Sequence, residues 1–249
     1  MIGSSQESCR LLLTKYNLEN RLLNISPAFC LYGGQGLSAA EANHLFKIDS
    51  RSYSAAIDYA SVLSDAELTK ASRFYQQADR ENYLIRKYAL RQILAKFLGQ
   101  RPAAIKFHQQ ANKKPAIANL HFNTSNTKNG IAIAISFAPI GIDIEYIDPN
   151  FEYTDILQQC FNSRESQFIQ KGVDQRANFY TLWTRKEALL KATGEGLIDD
   201  LNQLDVLGAF FNYKNENYEL KSLKSDNYII TTATVSHPEK IRLWLYNPS

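Results

Sequence analysis

The 249-residue chain is short of several things, and each shortage excludes a class of protein. It has three cysteines, Cys9, Cys30 and Cys160, an odd number with no paired metal-type spacing. That argues against a disulfide framework or a zinc module and for free thiols in a reducing compartment. Its four histidines, His44, His108, His121 and His237, form no Ser/His/Asp or metal-ligand arrangement. Net charge is only +3, from 28 Lys and Arg against 25 Asp and Glu, with no dense basic block, so nucleic acid is not an expected partner. The apolar run near the start, Leu11-Leu-Leu13, is too short for a signal-peptide core or a membrane span. A cytoplasmic protein that binds no membrane is the expectation.

Hydrophobic residues make up 45 % and charged residues 21 %, ordinary for a globular protein with a sizeable core. No internal repeat is visible. Residues 1–40, with the turn-prone Gly33-Gly-Gln-Gly36, read as a loose extension. His44–Asp49 alternates like a strand, and Ser64-Asp-Ala-Glu67 has the form of a capping box. A helix is predicted from Asp79 to Leu98, with Leu90, Leu94, Phe97 and Leu98 as its apolar stripe and Gly99 at its end. Phe122-Asn123, Ile131–Phe137 and Ile140–Ile147 read as strands, with Pro139 breaking the ladder. A second helix follows over Phe179–Ala192, then strands near Leu204–Phe211, Tyr228–Val235 and Ile241–Tyr246. In Ile131-Ala-Ile-Ala-Ile135 one face is bulky and the other accepts close packing.

The chemistry concentrates in Gly141-Ile-Asp-Ile-Glu145, then Trp183-Thr-Arg-Lys-Glu-Ala-Leu-Leu-Lys191 and Gly194-Glu-Gly-Leu197. On a strand Asp143 and Glu145 share one face, and Ile142 and Ile144 take the other. Two neighbouring carboxylates repel unless a cation lies between them, and a hard divalent ion suits oxygen donors. On the helix Trp183, Glu187 and Lys191 lie at i, i+4 and i+8, which adds a third carboxylate and a lysine for phosphate. The bland readings are a solvated D-x-E on an edge strand and a surface Glu-Lys pair worth ~0.3–0.5 kcal/mol. The two glycines at 194 and 196 suit a helix stop, because their spacing is not that of a P-loop.

These motifs, with Lys114-Pro115, Phe122-Asn-Thr-Ser-Asn-Thr127, and Arg73-Phe-Tyr with Asp79, resemble the surfactin-type 4′-phosphopantetheinyl transferases over residues 60 to 200. The resemblance implies an α+β fold of two similar halves in one monomer, divided here as an extension (1–40), an N-terminal half (41–138) and a C-terminal half with the metal site (139–249). It implies transfer of the 4′-phosphopantetheine arm of coenzyme A to a serine of an acyl or peptidyl carrier protein, releasing 3′,5′-ADP. Asp143, Glu145 and Glu187 would hold Mg²⁺ or Mn²⁺. Glu187, or a metal-bound water, would take the serine proton, and Lys191, with Lys186 beside it, would balance the leaving pyrophosphate. Lys70, Lys114, Pro115, Ser125 and Asn126 would complete the coenzyme A site. Asn126 stands where the family has a phosphate-contacting histidine, and an asparagine never carries positive charge; Lys128 is a candidate replacement. Lys113 stands where glycine is usual. Residues 148–161, with Phe151, Tyr153, Ile156 and Leu157, correspond to the carrier-docking region. The alternative is a non-catalytic relative that binds coenzyme A or a carrier.

Overall fold

The computed structural model describes residues 22–24, 27–34, 37–39, 42–53, 57–109, 115–196, 200–235 and 240–247. The first part of the chain forms β1 (Leu23–Asn24), β2 (Cys30–Leu31), β3 (Asn43–Asp49), α1 (Asp65–Ala71), α2 (Gln77–Leu98), β4 (His108–Gln109) and β5 (Pro115–Ala116). The middle forms β6 (His121–Thr127), β7 (Gly130–Ser136), β8 (Ile140–Tyr146), α3 (Thr154–Cys160), α4 (Ser163–Lys171) and α5 (Gln175–Thr193). The last part forms β9 (Phe210–Tyr213), β10 (Glu216–Ser225), β11 (Tyr228–Val235) and β12 (Ile241–Leu245). One five-stranded sheet runs β1-β10-β11-β8 with β9 also on β10, and the other runs β2-β12-β3-β7-β6. The fold is α+β.

Each sheet carries one long helix on its outer face, and the two inner faces meet. On β7, Ile131, Ile133 and Ile135 pack with Leu90, Ile93 and Leu94 of α2. Ala132 and Ala134 turn the other way, onto Ile142 and Ile144 of β8 and Ile230 of β11. The small face expected of this strand is thus where the sheets approach. α1 opens on the predicted capping box, with Ser64 and Glu67 each accepting from the other's backbone amide. α2 ends at Gly99 in the left-handed conformation, φ 61°.

Among the described residues β8 is an edge strand, paired with β11 alone, and its open side is covered by β6. The Ile142 amide donates to Asn123 Oδ1 at 3.3 Å, so a side chain replaces the missing neighbour. α5 crosses the outer face of β8 at Gly141, where a Cβ would lie 1.9 Å from the Ala188 carbonyl oxygen. Only a residue without a side chain lets the helix backbone come this close.

Three expectations need correction. The described part of residues 1–40 is built into the fold rather than loose. Leu22 and Leu23 are buried, β1 pairs parallel to β10, and β2 pairs parallel to β12. The division at residue 139 does not divide the sheets, because β12 returns to pair parallel with β3 while β1 joins β10. Finally, 204–209 is not a strand; only Phe210–Tyr213 is. The carbonyls of Leu204, Val206 and Gly208 are taken by the buried cations Lys186 and Arg185, and the Val206 amide donates to Glu165. Groups engaged by side chains are not free for a ladder.

Candidate active site

The β8 register places Asp143 opposite Thr231 and Glu145 opposite Ile229 on the face that meets α5. Trp183, Glu187 and Lys191 lie one turn apart on α5, each half-buried. The close crossing at Gly141 brings the end of this stripe over the strand. Lys191 Nζ donates to Asp143 Oδ1 at 2.6 Å and to Ser125 Oγ at 3.1 Å. Ser125 Oγ donates to the same Asp143 oxygen at 2.8 Å. A strand from one sheet, an edge strand from the other and a helix thus meet at one carboxylate.

That carboxylate is 2 % exposed, and its second oxygen, Oδ2, is enclosed with no hydrogen-bond partner among the described residues. Burial pushes the Asp143 carboxyl up, and the Lys191 ammonium opposes the rise. Burial and the neighbouring Asp143 charge push Glu145 up to about 7. Glu187 rises for the same two reasons, again opposed by Lys191. The Asp143 charge thus raises the proton affinity of both Glu145 and Glu187, and a single ammonium opposes the rise of all three carboxyls.

Among the described residues no three His, Cys, Asp or Glu side chains are gathered tightly enough to enclose a metal ion by themselves. The donor set nonetheless fits a hard cation: oxygen donors only, an excess of negative charge, and an orphaned buried oxygen on Asp143. A magnesium-type ion asks for one or two carboxylates and takes its remaining ligands from water and substrate phosphate.

Two hollows flank these groups. One, of about 230 Å³, is lined by Pro115, Ile117, His121, Phe122, Pro139 and the end of α5 at Ala192–Gly194. The other, of about 310 Å³, has Glu145 and Thr127 in its lining beside Phe151, Ile156, Tyr180 and Trp183. Phe151 is exposed and its ring lies 6.0 Å from that of Phe179, while Trp183 stacks on Phe179 at 6.3 Å.

The remaining sequence-predicted residues divide. Ser125 and Pro115 belong to this region, and Lys114 and Leu197 lie outside the described residues. Lys70 is exposed on α1 beside Thr69, Arg73 and Phe74, 5.8 Å above the Tyr83 ring and away from the carboxylates. Asn126 is exposed and, by strand alternation, on the opposite face of β6 from Ser125. Lys128 does not stand in for it: its ammonium pairs with Asp148 at 3.4 Å and lies 3.7 Å above the Tyr146 ring.

Lys186 must be corrected. It is 1 % exposed, pairs with the equally buried Glu165 at 2.8 Å, and donates to the carbonyls of Leu201 and Leu204. A cation spent on the core cannot meet a phosphate. Its place on the helix carried that signal, because it follows Leu182 by four residues and precedes Leu189 by three on the apolar side. Arg86, which continues the stripe of Leu90 and Leu94 at i−4 and i−8, is half-buried on α2 and donates to Thr124 Oγ1 at 3.0 Å.

The profile of the ACPS family, the 4′-phosphopantetheinyl transferase superfamily, matches residues 139–233. The chain is 34 % identical over 149 residues to the 4′-phosphopantetheinyl transferase HetI of Nostoc sp. strain PCC 7120, covering 56 % of this chain and 63 % of HetI. A 4′-phosphopantetheinyl transferase of Bacillus subtilis is 37 % identical over 142 residues, with 55 % of this chain and 62 % of that protein covered. With Sfp of Bacillus subtilis strain 168 identity is 31 % over 153 residues, covering 59 % of this chain and 67 % of Sfp. The matched region thus spans slightly under two thirds of the first two relatives' length. Among solved structures, Thermotoga maritima holo-[acyl-carrier-protein] synthase aligns with 40 % of this chain and 63 % of its own, at TM-score 0.31 and 13 % identity. By its relation to Sfp and the matching profile, the chain belongs to the 4′-phosphopantetheinyl transferase superfamily.

Proposed function

We propose that the protein moves the 4′-phosphopantetheine arm of coenzyme A to a serine hydroxyl of an apo acyl or peptidyl carrier protein, releasing 3′,5′-ADP. The observation that carries this reading is the meeting of Asp143, Glu187, Ser125 and Lys191 at the seam of the two sheets, with one Asp143 oxygen enclosed and unpaired. Asp143, Glu145 and Glu187 would hold Mg²⁺ or Mn²⁺, which when bound neutralises charge on the pyrophosphate. Lys191, already at the centre of the group, supplies a second positive charge to the departing 3′,5′-ADP. Ser125 orients a phosphate oxygen from the β6 side. Glu187 takes the proton of the attacking serine; burial and the Asp143 charge raise its proton affinity, which strengthens it as a base.

The nucleotide end of coenzyme A fits the hollow beside Pro115, and the pantetheine end fits the groove that leads from Glu145 to Phe151 and Ile156. That groove borders 148–161, so a carrier helix laid on α3 would present its serine to the carboxylates. A cytoplasmic monomer using neither nucleic acid nor membrane belongs to the same reading. No helix among the described residues is long and apolar enough to cross a membrane.

The test is direct. With coenzyme A and Mg²⁺, the mass of an apo carrier protein should rise by one phosphopantetheine, and Asp143→Ala or Glu187→Ala should abolish the change while leaving thermal unfolding cooperative. Near-normal transfer by either variant would sink the assignment. Coenzyme A binding without transfer by the unaltered chain would favour the non-catalytic alternative.

A further inference from the structure

Lys191 already holds the oxygen that a divalent ion would seek. Its Nζ donates to Asp143 Oδ1 at 2.6 Å, and Ser125 Oγ donates to the same oxygen at 2.8 Å. A carboxylate oxygen offers about two acceptor positions, so Oδ1 has none to spare. Oδ2 of the same carboxylate is enclosed and has no hydrogen-bond partner among the described residues. The Lys191 charge also acts on Glu145 and Glu187, so one ammonium serves three carboxylates. Two other lysines of this region do not share the task, because Lys186 pairs with Glu165 and Lys128 with Asp148.

An ion bonded to Oδ1 at the ~2.1 Å usual for magnesium would stand within about 5 Å of this ammonium. Like charges so close repel, and the two compete for one carboxylate. The lysine can leave without moving α5, because its side chain is 30 % exposed and its ammonium ends a flexible stem. What draws it away must be an anion, and in the transferase reading the pyrophosphate of coenzyme A is that anion. We propose that Lys191 is an exchange residue. The pyrophosphate takes its ammonium from Asp143 and so frees Oδ1 for the ion, and coenzyme A and metal each raise the other's affinity. Ser125, 3.1 Å from the ammonium and donating to the same carboxylate, holds Asp143 in place through the exchange. This rests on the transferase reading above and adds to it a coupling between the two ligands, carried by a side chain that moves.

Direct contact between ion and pyrophosphate would also couple the ligands, so the deciding measurement is the ion alone. The experiment is calorimetric titration of the full chain with Mn²⁺, first without and then with coenzyme A, at about pH 8 to keep the carboxyls ionised. Without coenzyme A, Lys191→Met should bind Mn²⁺ roughly tenfold or more tighter than the unaltered chain, within the usual range of coupled sites. Coenzyme A should then improve ion binding less in this variant than in the unaltered chain. Lys191→Arg keeps the charge and should bind the ion alone as weakly as the unaltered chain does. A lysine that only contacts phosphate would leave the affinity for the ion alone unchanged. Equal or weaker binding of Mn²⁺ alone by Lys191→Met overturns the exchange, while carrier modification by the unaltered chain keeps the transferase reading. If Lys191→Met does not fold, Lys191→Gln decides by the same comparison. Failure of the unaltered chain to bind coenzyme A overturns both.

Discussion

Replacing Gly141 by alanine tests the crossing of α5 over β8 on which the site depends. The added methyl carbon would lie 1.9 Å from the Ala188 carbonyl oxygen and 2.5 Å from the Ala192 amide nitrogen. Unstrained contacts of this kind need ~3.5 Å, so the helix must retreat by roughly 1.5 Å or the strand must bend. Both contacts are backbone atoms in the middle of a helix, which cannot turn aside as a side chain would. Gly141 is not among the glycines with positive φ, so the loss is one of space and not of backbone freedom. Overpacking of this sort costs about 3 kcal/mol or somewhat more. The functional cost is larger, because Glu187 and Lys191 ride on the displaced helix while Asp143 stays on the strand. A misplacement of about 1 Å in a catalytic group lowers rates by roughly a hundredfold. Urea unfolding and carrier modification measured on the same preparation should therefore show both losses. A variant within 1 kcal/mol of the unaltered chain and with normal transfer would mean that α5 does not rest on β8 as described.

Two further outcomes follow from buried charge. Lys186→Met strands Glu165, 0 % exposed, without its cation and should cost about 3–5 kcal/mol in chemical denaturation; a loss under 1 kcal/mol would mean that the pair is not a core element. The raised carboxyls make the metal-free protein pH-sensitive: between pH 4.5 and about 7 the folded chain keeps a proton on Glu145 that the unfolded chain has released, so stability falls as pH rises. The span corresponds to ~3 kcal/mol, and Glu145→Gln should flatten the slope, whereas a slope unaltered by that substitution would place the titration elsewhere.

Much of the local structure was legible because it depends on near neighbours. The capping box at Ser64, the stop at Gly99 and the alternation of Ile131–Ile135 each encode their element within a few residues. The shared face of Asp143 and Glu145 follows from the two-residue period of a strand, and the Glu187–Lys191 stripe from the turn of a helix. Their resemblance to a known family led to the same residues. What failed was whatever depended on distant partners. Nothing in Leu204–Gly208 announces that its carbonyls will serve Arg185 and Lys186, so its apolar pattern read as a strand. The short pieces near residues 23 and 30 read as loose because the edges they complete, on β10 and β12, lie about two hundred residues away.

The sequence by itself determined the two long helices, the strands β3, β7, β8, β11 and β12, and the helix stripe that faces the acidic strand, since hydrophobic period and turn chemistry act locally. Only the tertiary structure decided which charged groups meet. It sent Lys186 into the core and Lys191 onto Asp143, though both are lysines five residues apart on one helix. It set Ser125 and Asn126, neighbours in the chain, on opposite sides of β6, and it brought Arg86 of α2 to Thr124. The physical reason is that a buried charge is stable only with a partner, and the partner is chosen by how sheets and helices stack, which no local pattern records.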